Sequence, residues 1–137
     1  MNAYVMVGAP GSGKSTEAQK IAQIENAVIV SGDDIRARLY GSADIQGNWV
    51  EIHDEIEAQV ADAAALSRPV IVDGTHYRAH YRKQTVAMLR SYGYSNIEAV
   101  VVNPSLATCL ARNFRRSRNV PDYVIKSMHE KLQASLR

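Results

Sequence analysis

The sequence of 137 residues is long enough for one α/β domain to bury most of its core without disulfide staples and too short for a second module, so a single domain over 1–137 is expected. Its one cysteine, Cys109, excludes an internal disulfide, no apolar run approaches the length of a membrane span, and the first strand-like run begins too near the start for a signal peptide. A protein of the reducing cytoplasm, with no membrane contact and no protein partner written into its composition, is the expectation.

The formal net charge of +2 hides an asymmetry. Residues 1–67 carry 4 basic and 10 acidic side chains, whereas residues 68–137 carry 12 and 4. Anions are therefore expected to meet the second half. From Leu39 to Ser67 there is no Lys or Arg, and six acids (Asp44, Glu51, Asp54, Glu55, Glu57 and Asp62) make that stretch a poor track for phosphates.

In chain order, the apolar run Tyr4-Val5-Met6-Val7 reads as a strand and leads directly into "GAPGSGKST", Gly8 to Thr16. This fits G-x-x-x-x-G-K-[S/T], with Gly8, Gly13, Lys14 and Ser15 in the defining places. Gly8, Gly11 and Gly13 let the chain curl so that successive amides, those of Ser12 and Thr16 among them, point at one anion. Lys14 adds a point charge on the β/γ-phosphates, and Ser15 is placed to ligate Mg²⁺. A glycine-rich turn with no ligand would not need Lys-Ser in register after a strand.

Helical spacing follows over Lys14 to Ile24, with Ala18, Ile21 and Ala22 inward, then a short buried strand over Ala27 to Val30. "SGDDIR", Ser31 to Arg36, opens a short helix from Asp33 to Tyr40. Ser31 and Asp34 have capping-box spacing, which accounts for Asp34 and not for Asp33. Asp33 and Arg36, three residues apart on one face, are suited to taking a hydroxyl proton and holding an anion beside it; a plain surface ion pair is the alternative. After a loop over Gly41 to Asn48, the residues Trp49, Ile52, Ile56, Val60 and Ala63/Ala64 recur at helical spacing as far as Ser67.

"PVIVD" from Pro69 is a third strand, and Asp73 at its end stands where a P-loop protein commonly reaches Mg²⁺ or its water ligands. A helix over Tyr77 to Tyr92 begins in "HYRAHYRK", whose His76 and Arg78 are candidate substrate contacts, since rings between cations suit nucleic-acid bases and phosphates. The alternative puts Tyr81 in the core and leaves Arg78, Arg82 and Lys83 solvated. His76 and His80 have metal-ligand spacing, but no carboxylate or thiol completes a set, so zinc is discounted. Ile97 to Val102 is a fourth strand, and helices over Ser105 to Arg116 and Pro121 to Leu136 follow. Cys109 is expected to be a small buried residue of the first of these. In the second, Val124, Ile125, Met128, Leu132 and Leu136 form the apolar side.

Between these two helices lies "RNFRRSR", with arginines at 112, 115, 116 and 118. On a helix Arg112, Arg115 and Arg116 share a face, an arrangement that repels itself unless a polyphosphate is present. A solvated basic face is the alternative. Strands alternating with helices imply a parallel sheet covered on both faces, with ligands at the carboxyl ends of the strands.

These residues resemble the P-loop kinases and, among them, the polynucleotide 5′-hydroxyl kinase domain of the phage T4-like type. The resemblance runs from "GAPGSGKST" through "SGDDIR" and "VIVDGT" to "RNFRRSRNVPDYVIKSM", and the last stretch is the discriminating one, because the first three occur in several small-molecule kinases. It implies a P-loop NTPase-like three-layer sandwich with a parallel sheet of four or five strands and an Arg-rich helical lid over about 105–120. It implies ATP as phosphate donor with Mg²⁺, bound by Lys14 and Ser15. Asp33 would activate the 5′-hydroxyl of a DNA or RNA end, Arg36 would hold the acceptor phosphate, Asp73 would support the metal or the acceptor, and Arg112 and Arg116 would clamp the donor phosphates. The phosphatase and ligase domains that often accompany this kinase have no counterpart in the 137 residues. A kinase for a small-molecule hydroxyl, or an ATP-binding module with no acceptor, are the competing readings.

Overall fold

The computed structural model describes residues 1–43, 45, 47–115 and 120–136. Arg116 and Arg118 of the basic run lie outside the described residues. The elements are β1 (Asn2–Val7), α1 (Lys14–Glu25), β2 (Val28–Ser31), α2 (Gly32–Tyr40), α3 (Trp49–Ala65), β3 (Val70–Asp73), α4 (Ala79–Ser91), β4 (Asn96–Val101), α5 (Leu106–Arg115) and α6 (Asp122–Ser135). Among the described residues the sheet has four strands, in the order β2-β3-β1-β4, all parallel, so the fifth strand left open by the sequence is not found.

Side chains alternate across the central strands, as the pleat requires. Ala3, Val5 and Val7 join Val30, Val70 and Val72 on one face, under Ile35 of α2, Ile52, Ile56 and Val60 of α3, Met88 and Leu89 of α4 and Leu132 of α6. Met6 and Ile71 project to the other face, where Ala18, Ile21 and Ala22 of α1 cover them. This is a three-layer α/β sandwich, with helices on both faces of a parallel sheet. Ala9, Cys109, Val120 and Ile125 form a separate small cluster that seats α5 and α6 against the loop after β1. Cys109 is fully buried, and burial pushes its thiol pKa up, in keeping with a packing role.

Two apolar positions depart from the helical spacing. Trp49, the first residue of α3, is 49% exposed, and Leu136 is exposed just beyond the end of α6. The outer strand β4 is also less covered than a strand buried on both faces, with Ala99 and Val101 exposed. No helix among the described residues is long and apolar enough to cross a membrane.

Candidate active site

The loop from Gly8 to Gly13 joins the central strand to α1. Gly11 and Gly13 have φ of 80° and 94°, a conformation that L side chains rarely adopt. A Cβ on Gly11 would also collide with the Cys109 carbonyl of α5, so α5 lies directly on the loop. Gly13 caps α1 without any side-chain hydrogen bond, whereas α2 is capped by Ser31 and α3 by Asn48. The first amides of α1 thus have no side-chain oxygen capping them, as an anion site requires. Lys14 is 8% exposed at that end, and Thr16 lies exposed in the first turn. The Ser12 hydroxyl is buried against Gly8, without a partner among the described residues.

Ser15 donates its hydroxyl to Asp73 Oδ2 at 2.9 Å, which ties the start of α1 to the end of β3. Asp73 is 8% exposed, and its Oδ1 is buried with no partner among the described residues. A buried carboxylate oxygen lacking a donor, beside a serine hydroxyl, is a hard-oxygen set that fits Mg²⁺.

On the neighbouring strand the carboxyl end is Ser31, the register partner of Asp73. Its hydroxyl accepts from the Asp34 amide at 3.3 Å, so Asp34 belongs to the cap. One residue earlier, Asp33 accepts from Arg36 Nη1 at 3.4 Å, and their side chains are 42% and 20% exposed. Arg36 Nε is buried and has no partner among the described residues, so this guanidinium retains donor capacity for an anion.

Arg112 reaches over from α5 and donates through Nη1 to the Ser12 carbonyl at 2.6 Å, with its guanidinium against Gly13. The first arginine of the basic run is therefore at the loop after β1. Arg115 is exposed at the end of α5.

His76 is engaged inside the fold. It adopts φ 46°, and Nδ1 contacts the Met6 carbonyl at 2.7 Å while Nε2 lies 3.2 Å from the Thr85 hydroxyl. A carbonyl only accepts, so Nδ1 carries the proton and the neutral Nε2 accepts from Thr85. Burial holds the imidazole below its usual pKa of 6.5, which favours this neutral form. With the Gly8 amide donating to the Thr75 carbonyl at 3.0 Å, the turn after β3 is sewn to the strand that enters the phosphate loop. Of the two candidate substrate contacts, His76 has both ring nitrogens engaged within the fold, and Arg78 is exposed on the surface.

Two further residues belong to the frame. Asn113 is 3% exposed and clasps Val120, accepting from its amide at 3.0 Å and donating to its carbonyl at 2.7 Å. Arg82, expected in solvent, donates to the His76 carbonyl at 2.8 Å and to the Ser135 hydroxyl and carbonyl at 3.1 and 3.2 Å. The sequence carried a signal for both. Asn113 continues the inward row of Leu106, Cys109 and Leu110, and Arg82 precedes Val86 and Leu89 by one and two turns, so each polar side chain is aimed at the interior and needs a partner.

A family model described as an AAA domain matches residues 4–135. Among solved structures, a chain of the Pnkp1/Rnl/Hen1 RNA repair complex is similar at 25% identity and a TM-score of 0.85, over 98% of this chain and 45% of that one. The chain thus spans less than half the length of that relative. A gluconokinase from Sinorhizobium meliloti 1021 is similar at 21% identity and a TM-score of 0.62, over 95% of this chain and 74% of that one. The Mycobacterium tuberculosis APS kinase CysC, at 20% identity and 0.62 over 83% and 69%, shares the fold as well. With a phosphate loop, an uncapped helix behind it and a family match over nearly its whole length, the chain belongs to the AAA-domain family as a P-loop kinase.

Proposed function

We propose that the protein transfers the γ-phosphate of ATP to the 5′-hydroxyl of a DNA or RNA end. The observation that carries this reading is the Asp33/Arg36 pair at the carboxyl edge of the sheet, one strand away from Asp73, with a guanidinium that still has a donor to give. The likeness to a chain of an RNA repair complex supports it at the level of the whole fold.

In this scheme the loop amides and Lys14 hold the β- and γ-phosphates, and Arg112 closes on the same oxygens from α5. Ser15 and Asp73 would hold Mg²⁺, which supplies charge neutralisation at the transferring phosphoryl group. Asp33 accepts the proton as the acceptor oxygen bonds to Pγ and the bond from Pγ to the β–γ bridging oxygen breaks, releasing ADP. Arg36 grips the phosphate on the 3′ side of the same nucleoside and so fixes the hydroxyl in line. Arg116 is assigned by resemblance to the same donor clamp as Arg112.

The test compares a nucleoside with its 3′-monophosphate as acceptors for γ-labelled ATP. The 3′-phosphate should be labelled far better, and Arg36→Ala should narrow the gap by harming only the good acceptor. Equal labelling, or preference for a sugar, would replace this reading with that of a small-molecule kinase.

A further inference from the structure

Because Ser31 and Asp73 are register partners, the chain leaves the sheet edge at two adjacent points, into α2 with Asp33 and Arg36 and, through residues 74–78, into α4. An acceptor strand whose 5′ end lies between Asp33 and Asp73 has two ways out on this face of the sheet. One crosses α2 and α3, and it is hostile to a polyanion. No Lys or Arg occurs from Leu39 to Ser67, Glu51 and Asp54 are exposed, and Arg38 is already paired with Glu55.

The other way crosses the start of α4, and its chemistry is opposite. Arg78, His80 and Lys83 are exposed, and no ion pair among the described residues engages them. The Arg78 guanidinium lies 5.6 Å over the Tyr77 ring, Tyr77 meets Tyr81 edge-on at 5.5 Å, and the His80 and Tyr81 rings are 4.1 Å apart. Cations and ring faces thus alternate over residues 77–83, from the turn before α4 into its first turn, the combination that binds single strands irrespective of sequence. The platform is also fixed in place, since the Tyr77 carbonyl accepts from Ser135 Oγ at 2.9 Å.

We infer that the acceptor strand leaves the active site across the start of α4, where Arg78 and Lys83 hold backbone phosphates beyond the first nucleotide and the His80–Tyr81 ring pair carries a base. This rests on the polynucleotide reading and adds to it the path the acceptor strand takes beyond its first nucleotide.

The experiment measures kcat/KM for a nucleoside 3′-monophosphate and for a single-stranded hexanucleotide with a free 5′-hydroxyl, and the salt dependence of hexanucleotide binding by fluorescence anisotropy. Wild type is compared with Arg78→Gln, His80→Ala and, as a control at the far end of α4, Arg90→Gln, all checked for native melting. Wild type should favour the hexanucleotide. Arg78→Gln should lower kcat/KM for the hexanucleotide about tenfold, leave the mononucleotide unchanged, and flatten the slope of log affinity against log salt by about 0.7, the value for one lost phosphate contact on a single strand. His80→Ala should cost about five- to tenfold through lost stacking, with no change of slope. If the mononucleotide serves as well as the hexanucleotide and the variants behave as wild type, the track is wrong and the polynucleotide reading stands. Labelling of a sugar but of no nucleotide removes both.

Discussion

On the donor side Lys14 and Asp73 are each 8% exposed, Ser12 is 1% exposed, and Ser15, Arg112 and the Thr75–His76 turn are held by named hydrogen bonds of 2.6 to 3.0 Å. Across the cleft, Asp33 and Arg36 are 42% and 20% exposed and meet at 3.4 Å. In the proposed reading the donor half is built from backbone amides and buried side chains at the ends of the strands, whereas the acceptor half is a few side chains standing on the first turn of a short helix. A fold that holds ATP in its frame and the acceptor on its surface can change substrates without being rebuilt. That is consistent with the same architecture serving a gluconokinase, an APS kinase and a chain of an RNA repair complex.

The contrast breaks first at Lys14. Lys14→Ala removes a cation from the transferring phosphoryl group, and losses of order 10³ to 10⁵ are usual for one such charge. Transfer from γ-labelled ATP should fall accordingly to every acceptor, and a retained rate would overturn the donor assignment. Asp33→Asn tests the other half. Transfer should fall by about 10² to 10⁴ while ATP affinity, measured by titration calorimetry, stays as in wild type. A loss of ATP binding instead would move Asp33 into the donor half.

A smaller effect is expected at the join between the halves. Arg112→Lys keeps the charge over the loop and loses the planar fork, so the KM for ATP should rise about tenfold, as expected when one hydrogen bond to a charged group is lost, with the KM for acceptor unchanged. The smallest effect concerns the frame. Since the folded protein holds His76 below its ordinary pKa of 6.5, its contribution is present in full above that value and declines as pH falls from there toward the folded pKa. The melting temperature should therefore drop as pH is lowered below about 6.5. His76→Gln should lower stability at neutral pH and remove part of that slope; an unchanged slope would show that the imidazole is not held neutral.

The phosphate loop was legible because its chemistry is local: glycines, lysine and serine at fixed spacing after a strand suffice. Ser31 as a cap and Asp33 with Arg36 on one face were legible for the same reason, each lying within one turn of its partner. His76 was not. Its partners are Met6, 70 residues earlier, and Thr85, and its left-handed backbone turns the ring inward against the polar character of the surrounding "HYRAHYRK". Trp49 failed for another reason, since periodicity assigns a face but not where along the helix that face is covered. Arg82 and Asn113 were hidden by composition. An arginine or asparagine in a charged, helical stretch is taken for solvent-facing until its place in the inward row is counted.

Ser135 gives the far end of the last helix a stake in the chemistry. Its hydroxyl and carbonyl hold Arg82, which holds the His76 carbonyl, and the His76 ring holds the strand that delivers the phosphate loop. For protein engineering this means that a change confined to the last turn of α6, far in sequence from the phosphate loop, cuts the anchor of that chain of contacts and reaches the loop through it.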